Sequence, residues 1–136
     1  DTGKIEDMLE ANRIILDTFT ARGLESVDSA SRVEGKVVIE AGAKVVNSTV
    51  RGPAIVGTGA EIRDAFVGPY TSIGAGCYVE RCEIENSILL QGSRIERIPG
   101  RIADSLIGTN VRIHPGAERP RVHRFLIGDN SEIGIL

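Results

Sequence analysis

The sequence has no tryptophan, and its two tyrosines and three phenylalanines make aromatics only 4% of 136 residues. With so few large side chains, a hydrophobic fraction of 41% must be carried by branched aliphatics, which suits a narrow stack better than a broad globular core. Cysteine is nearly absent. Cys77 and Cys82 are too few for a disulfide framework, and with only two histidines in the chain they are too few for a zinc site. They read as reduced thiols, which points to the cytoplasm. No apolar run approaches the roughly 20 residues that span a bilayer, and no secretory signal pattern is present. A net charge of −3 gives no general attraction to nucleic acid or an anionic membrane. The chain opens on Asp1 rather than Met, as a fragment or processed product of a longer protein would.

What is present is a repeat. One aliphatic residue recurs every five or six positions from Val33 to Ile113, with a single step of seven at Ile95 to Ile102: Val33, Ile39, Val45; Val50, Val56, Ile62; Val67, Ile73, Val79; Ile84, Leu89, Ile95; Ile102, Ile107, Ile113. The first residue of each triplet advances by 17 or 18 positions. A helix repeats its apolar stripe at 3.6 and a hairpin sheet alternates at two, so neither fits. A triangular coil fits: one inward aliphatic per side, three sides per turn. Small residues and glycine between anchors, as in Val56-Gly57-Thr58-Gly59-Ala60, suit its corners.

The spacing predicts about five coils over 33–113. Ile88, Leu89 and Leu90 compete for one inward slot, and Ile98-Pro99-Gly100 inserts a residue or two. Asn47-Ser48, Asn86-Ser87 and Asp104-Ser105 read as one recurring corner whose side chains bond their own backbone. Residues 114–124, with two prolines and a glycine, read as a protruding loop. Phe125 to Leu136 then resume the repeat, predicting a last partial coil. The outward aliphatics Val38, Ile55 and Val111 need cover, which predicts self-association.

Residues 1–32 follow another rule. Ile5, Leu9, Leu16 and Phe19 fall at helical spacing, with Met8 and Ile15 alongside. Asp1 or Thr2 can cap the start, Glu10 and Arg13 make an i,i+3 pair, and Gly23 suits a C-cap. We expect a helix from about Lys4 to Ala21 and a polar link over 24–32. The apolar stripe must then bury on the open end of the stack or on a domain outside this chain.

The anchors resemble the hexapeptide repeat [LIV]-[GAED]-x-x-[STAV]-x of left-handed parallel β-helix proteins. Val56-Gly-Thr-Gly-Ala60-Glu and Ile39-Glu-Ala-Gly-Ala43-Lys match every position. The resemblance implies a mainly β, left-handed parallel β-helix of five to six coils with one N-terminal helix. Asp1-Thr2-Gly3, the following helix with Leu9-Glu10-Ala11-Asn12, and the closing His123-Arg-Phe-Leu-Ile-Gly-Asp-Asn-Ser-Glu-Ile resemble the C-terminal part of long-type sugar-1-phosphate nucleotidylyltransferases that make dTDP-glucose from glucose 1-phosphate and dTTP. The resemblance implies that residues 1–32 are the end of a catalytic domain with a linking helix, and 33–136 a β-helix domain.

It also implies that Asp1 is a Mg²⁺ ligand in the parent enzyme, with Thr2 and Gly3 beside the sugar. The Gly-rich nucleotide loop and partner carboxylate of such an enzyme are missing here. The implied role of this chain is therefore structural, oligomerising and regulatory, with its own catalytic domain as partner. Two rivals stand beside it. One is the tail of a nucleotidylyltransferase for another sugar nucleotide. The other is a free-standing hexapeptide acyltransferase, with His114 as base and His123 as the second histidine. Arg94, Arg97, Arg101, Arg112, Arg119, Arg121 and Arg124 form a basic run that reads as an effector or docking site. No aromatics interleave with them, so single-stranded nucleic acid is not expected.

Overall fold

The computed structural model of the chain describes residues 2–116 and 123–135. Fifteen short strands, β1–β15 along the chain, wind into three parallel sheets of five. The first sheet holds β1 (Arg32–Glu34), β4 (Thr49–Arg51), β7 (Phe66–Val67), β10 (Glu83–Glu85) and β13 (Arg101–Ala103). The second holds β2 (Val37–Ile39), β5 (Ala54–Val56), β8 (Thr71–Ile73), β11 (Ile88–Leu89) and β14 (Leu106–Ile107). The third holds β3 (Lys44–Val46), β6 (Glu61–Arg63), β9 (Tyr78–Glu80), β12 (Arg94–Glu96) and β15 (Arg112–Ile113). Each coil takes one strand from each sheet, and the stack is a left-handed parallel β-helix of five full turns.

The register stacks the anchors on one another: Val33 pairs with Val50, Val56 with Ile73, Ile62 with Val79, Ile95 with Ile113. Those of the middle coils are 0–1% exposed, while Val33, Ile102 and Ile113 at the two ends are half-buried. Of the three competitors, Leu89 takes the inward slot, Ile88 is half-buried and Leu90 is exposed. Cys77 and Cys82 are free thiols buried in the core.

Five local expectations differ from the structure. The segment over 24–32 is not a free link. Arg22 bridges Val38, Val27 bridges Val45, and Asp28 N–H donates to Val45 O, so residues 22–31 wind a partial coil beneath the first full one. The helix, α1, spans Thr2–Asp17 and ends earlier than Ala21. Gly23 is left-handed (φ 78°), but it opens a short 3-10 turn, Leu24–Ser26, and a side chain there would run into the Ile39 carbonyl.

The corner residues belong to two columns, not one. Asn47 and Asp64 lie between the third and first sheets; Asn86 and Asp104 lie between the first and second. All four are left-handed (φ 43–53°), and their side chains bond the adjacent coil's corner. Asn47 Nδ2 donates to Asp64 Oδ1 and Asn86 Nδ2 to Asp104 Oδ1, both at 2.6 Å. The neighbouring serines make the local bonds, Ser48 to Val46 O and Ser87 to Glu85 O, each at 2.8 Å.

Finally, residues 123–135 carry no strand and are exposed throughout, so the expected last partial coil is not paired with the stack.

Candidate functional site: the helix and solenoid seam

The apolar stripe of α1 has a destination that neither expectation named. It lies along the outer side of the second sheet. A 16-residue helix is about 24 Å long and five parallel strands span about 19 Å, so one helix reaches along the whole face. Its direction follows from its tethers. Lys36 Nζ of the first coil donates to Asp17 O (2.9 Å), and Arg13 Nη1 donates to Asn86 Oδ1 in the fourth coil (2.9 Å). The helix therefore runs back from the last coils towards the first, with Thr2 and Gly3 at its far end.

Leu9 and Leu16, one heptad apart, are 5% and 1% exposed, and the outward Val38 of β2 is 2% exposed. The cover expected from a second copy is thus supplied within the chain at Val38, and Val111 packs against the core. Between the two leucines sits Asn12. Its Oδ1 accepts from Ser72 Oγ (2.6 Å) and its Nδ2 donates to Tyr70 O (3.2 Å). Tyr70 Oη donates to Asp17 Oδ1 (3.0 Å), and this bond holds the phenol's proton and raises its pKa above the ordinary value. Arg13 is fixed from both sides, by Asn86 and by Glu10. A helix pinned by aliphatic burial and directional bonds cannot rotate or slide freely on its sheet.

Sequence reasoning found Leu9 and Asn12 as a motif but missed their partners. Ser72 carried a signal: it breaks the outward aliphatic column Val38, Ile55, Ile88, Leu106 at the strand where the helix needs a polar partner.

Asp1 lies outside the described residues. Thr2 and Gly3 form the first turn of α1, with Gly3 exposed. Among the described residues no three His, Cys, Asp or Glu side chains cluster to hold a metal ion.

The arginine run is split. Arg94 and Arg112 are neighbours on the third sheet, whereas Arg101 lies on the first. Arg94 stacks over Tyr78 (4.1 Å to the ring centroid) and pairs with Glu96; Arg97 reaches Glu80 (3.6 Å) and Glu96 (3.3 Å). The Arg94 guanidinium holds the Glu96 carboxyl below its ordinary pKa. Arg101 pairs with Glu83 and lies 4.8 Å over Phe66. Arg124 is exposed, and Arg119 and Arg121 lie outside the described residues. His114 is exposed, with Nδ1 2.9 Å from Pro115 O, and His123 stacks on Phe125.

The geometry is that of a hexapeptide solenoid with one helix fastened along the outer side of its second sheet. Over 135 residues the chain is 44% identical to a glucose-1-phosphate thymidylyltransferase of Streptomyces antibioticus and 42% to one of Streptomyces griseus. It is 36% identical over 136 residues to the low-salt glycan biosynthesis nucleotidyltransferase Agl11 of Haloferax volcanii. These matches cover 98–99% of this chain but 38% of each relative, so the chain spans well under half the length of the relatives it matches. No family model matches. The chain is similar to the C-terminal part of these nucleotidyltransferases. No helix among the described residues is long and apolar enough to cross a membrane.

Proposed function

We propose that this chain is the structural C-terminal domain of a nucleotidylyltransferase that joins glucose 1-phosphate to dTTP, releasing pyrophosphate and forming dTDP-glucose. In that reaction a sugar phosphate oxygen attacks the α-phosphorus of the nucleotide, and a divalent cation supplies charge neutralisation on the phosphates. The observation that carries the reading is the match along 99% of the chain to thymidylyltransferases, α1 and its seam included. The choice of dTTP and glucose rests on the two Streptomyces relatives, whose identity exceeds that of the Haloferax nucleotidyltransferase.

The described residues do not fit a Mg²⁺ site by themselves. In the proposal Asp1 contributes one carboxylate and the catalytic domain the rest, while Thr2 and Gly3 border the sugar. The work of this chain is positional: Leu9, Asn12 and Leu16 hold α1 on the solenoid and so fix the segment that leads from it. Self-association belongs to the same reading, supported by Met8, Ile14 and Ile15, which α1 leaves exposed. So does an effector or docking role for the arginines, supported by the adjacency of Arg94 and Arg112. The acyltransferase alternative has less support, since His114 meets a backbone carbonyl and the relatives carry nucleotidyltransferase names. Pyrophosphate release from dTTP and glucose 1-phosphate tests the assignment in the longer protein. Activity with another sugar phosphate or nucleotide alone would redirect it.

A further inference from the structure

The C-terminal segment repeats the last coil. Leu126-Ile-Gly-Asp-Asn-Ser-Glu-Ile133 matches Leu106-Ile-Gly-Thr-Asn-Val-Arg-Ile113 at five of eight positions. The likeness extends to the backbone. Asn110 (φ 56°) and Asn130 (φ 62°) are both left-handed within a turn, and Ser131 Oγ closes the second turn on Gly128 O (2.9 Å). The segment has thus already adopted a coil corner, yet Phe125, Leu126, Ile127, Ile133 and Ile135 are all exposed.

The far end of the solenoid is its counterpart. β13, β14 and β15 end their sheets, each with one edge unpaired among the described strands. Ile102 and Ile113 of this last coil are half-buried, where their equivalents two coils back are fully buried. The corner after β14 also has space for a following coil. A side chain at Gly57 or Gly74 would meet the next coil's backbone at 2.8 and 2.7 Å, whereas at Gly108, the equivalent position, it would meet only Val111 Cγ2 at 3.7 Å. Other coils carry Glu40 and Leu90 at this position, so it is the open space at Gly108, rather than the glycine, that bears on the point.

We infer that residues 126–133, exposed and unpaired in this structure, also adopt a docked state on the edges of β14 and β15, as the second and third sides of a sixth coil. Chain length permits it: 12 residues separate Ile113 from Leu126, against 10 between Ile95 and Leu106. The bonds follow from the ladder. Gly57, Gly74 and Leu90 N–H donate to Ile73, Leu89 and Ile107 O of the coil above, so Gly108 N–H donates to Ile127 O. Likewise Tyr78 and Arg94 N–H donate to Ser93 and Val111 O, so Arg112 N–H donates to Ser131 O. Gly92 and Asn110 N–H donate to Ala75 and Gln91 O of the coil below, so Asn130 N–H donates to Thr109 O. Ile127 then covers Ile107, and Ile133 covers Ile113. Leu126 continues the outward column beyond Leu106, towards the first turn of α1.

Amide hydrogen exchange on the full chain, at two concentrations tenfold apart, tests this. Docking predicts that Gly108 and Arg112 exchange at least about tenfold more slowly in the wild type than in Ile127→Asp or in a chain ending at Arg124, and that Asn130 does so relative to Ile127→Asp. The Leu90 and Arg94 amides, paired one coil further in, keep their protection in both variants. Free-chain exchange at Gly108 and Arg112 in the wild type overturns the inference. So does protection that rises with concentration, because a second copy would then supply the strand.

Discussion

Ser72 Oγ, on the outer side of β8, donates to Asn12 Oδ1 of α1 at 2.6 Å, 60 residues away in the chain. Through this bond the helix and the solenoid specify each other's position. Asn12→Ala leaves Ser72 and the Tyr70 carbonyl without that partner at a half-buried seam. We expect a loss of about 1–3 kcal/mol in chemical denaturation. A double-mutant cycle with Ser72→Ala should return a coupling of at least about 0.5 kcal/mol. Simple additivity would mean that the seam is held by Leu9 and Leu16 alone.

The inward register makes a sharper contrast. Val56→Asp or Ile73→Asp puts a carboxylate in a stack with no water and no partner, costing several kcal/mol, on the order of the whole stability of a small domain. Thr58 is exposed at a corner, so Thr58→Asp should shift the melting temperature little. Equal losses from the two classes of substitution would contradict the register.

Burial pushes the Cys82 thiol from an ordinary 9.0 to about 11, with Glu80 and Glu83 adding to the shift, and burial raises Cys77 as well. The folded state therefore holds these protons more tightly than the unfolded one. The contribution is complete below the unfolded pKa and is lost as pH rises through the folded one. Stability should fall between about pH 9 and 11, by at most about 1.4 kcal/mol per pH unit for each thiol. Cys82→Ala should flatten that limb. At neutral pH neither thiol should react with a water-soluble disulfide reagent until the chain unfolds.

The solenoid was legible because its signal is local: each anchor is a branched aliphatic a short step after the last, and burial of Val56, Ile62 and Ile73 follows from that spacing. The seam was not, because Asn12 and Ser72 are ordinary polar residues until the fold brings them together. The corner columns were misread for a related reason. Asn47 and Asn86 carry the same Asn-Ser signature, but Asn47 lies between a third and a first anchor and Asn86 between a first and a second, so the shared dipeptide does not mark one column. The partial coil over 22–31 escaped notice because a backbone ladder asks little of side chains: Arg22 pairs beside Val38 through its N–H and C=O alone. Of the residues implied by resemblance, Thr2 and Gly3 stand at the start of a helix whose course the structure gives, and Asp1 precedes it.

In the proposed parent enzyme, Asn at position 1 keeps the side chain's shape and removes its charge. Asp1→Asn should lower kcat by about 10²-fold or more, as loss of other groups that stabilise transition-state charge does, with the melting temperature nearly unchanged. Steady-state pyrophosphate release across a Mg²⁺ titration checks this. Wild-type turnover at any Mg²⁺ concentration would leave Asp1 a helix cap.

The central claim is that this chain is a scaffold acting through its seam with α1. The most direct measurement is pyrophosphate release from dTTP and glucose 1-phosphate by three proteins: the longer protein, its Asn12→Ala/Ser72→Ala variant, and the 136-residue chain alone. The account predicts turnover by the longer protein, a reduced kcat in the variant with its dTTP affinity retained, and none from the chain alone. Turnover by the chain alone, or a variant with unaltered kcat, would contradict it.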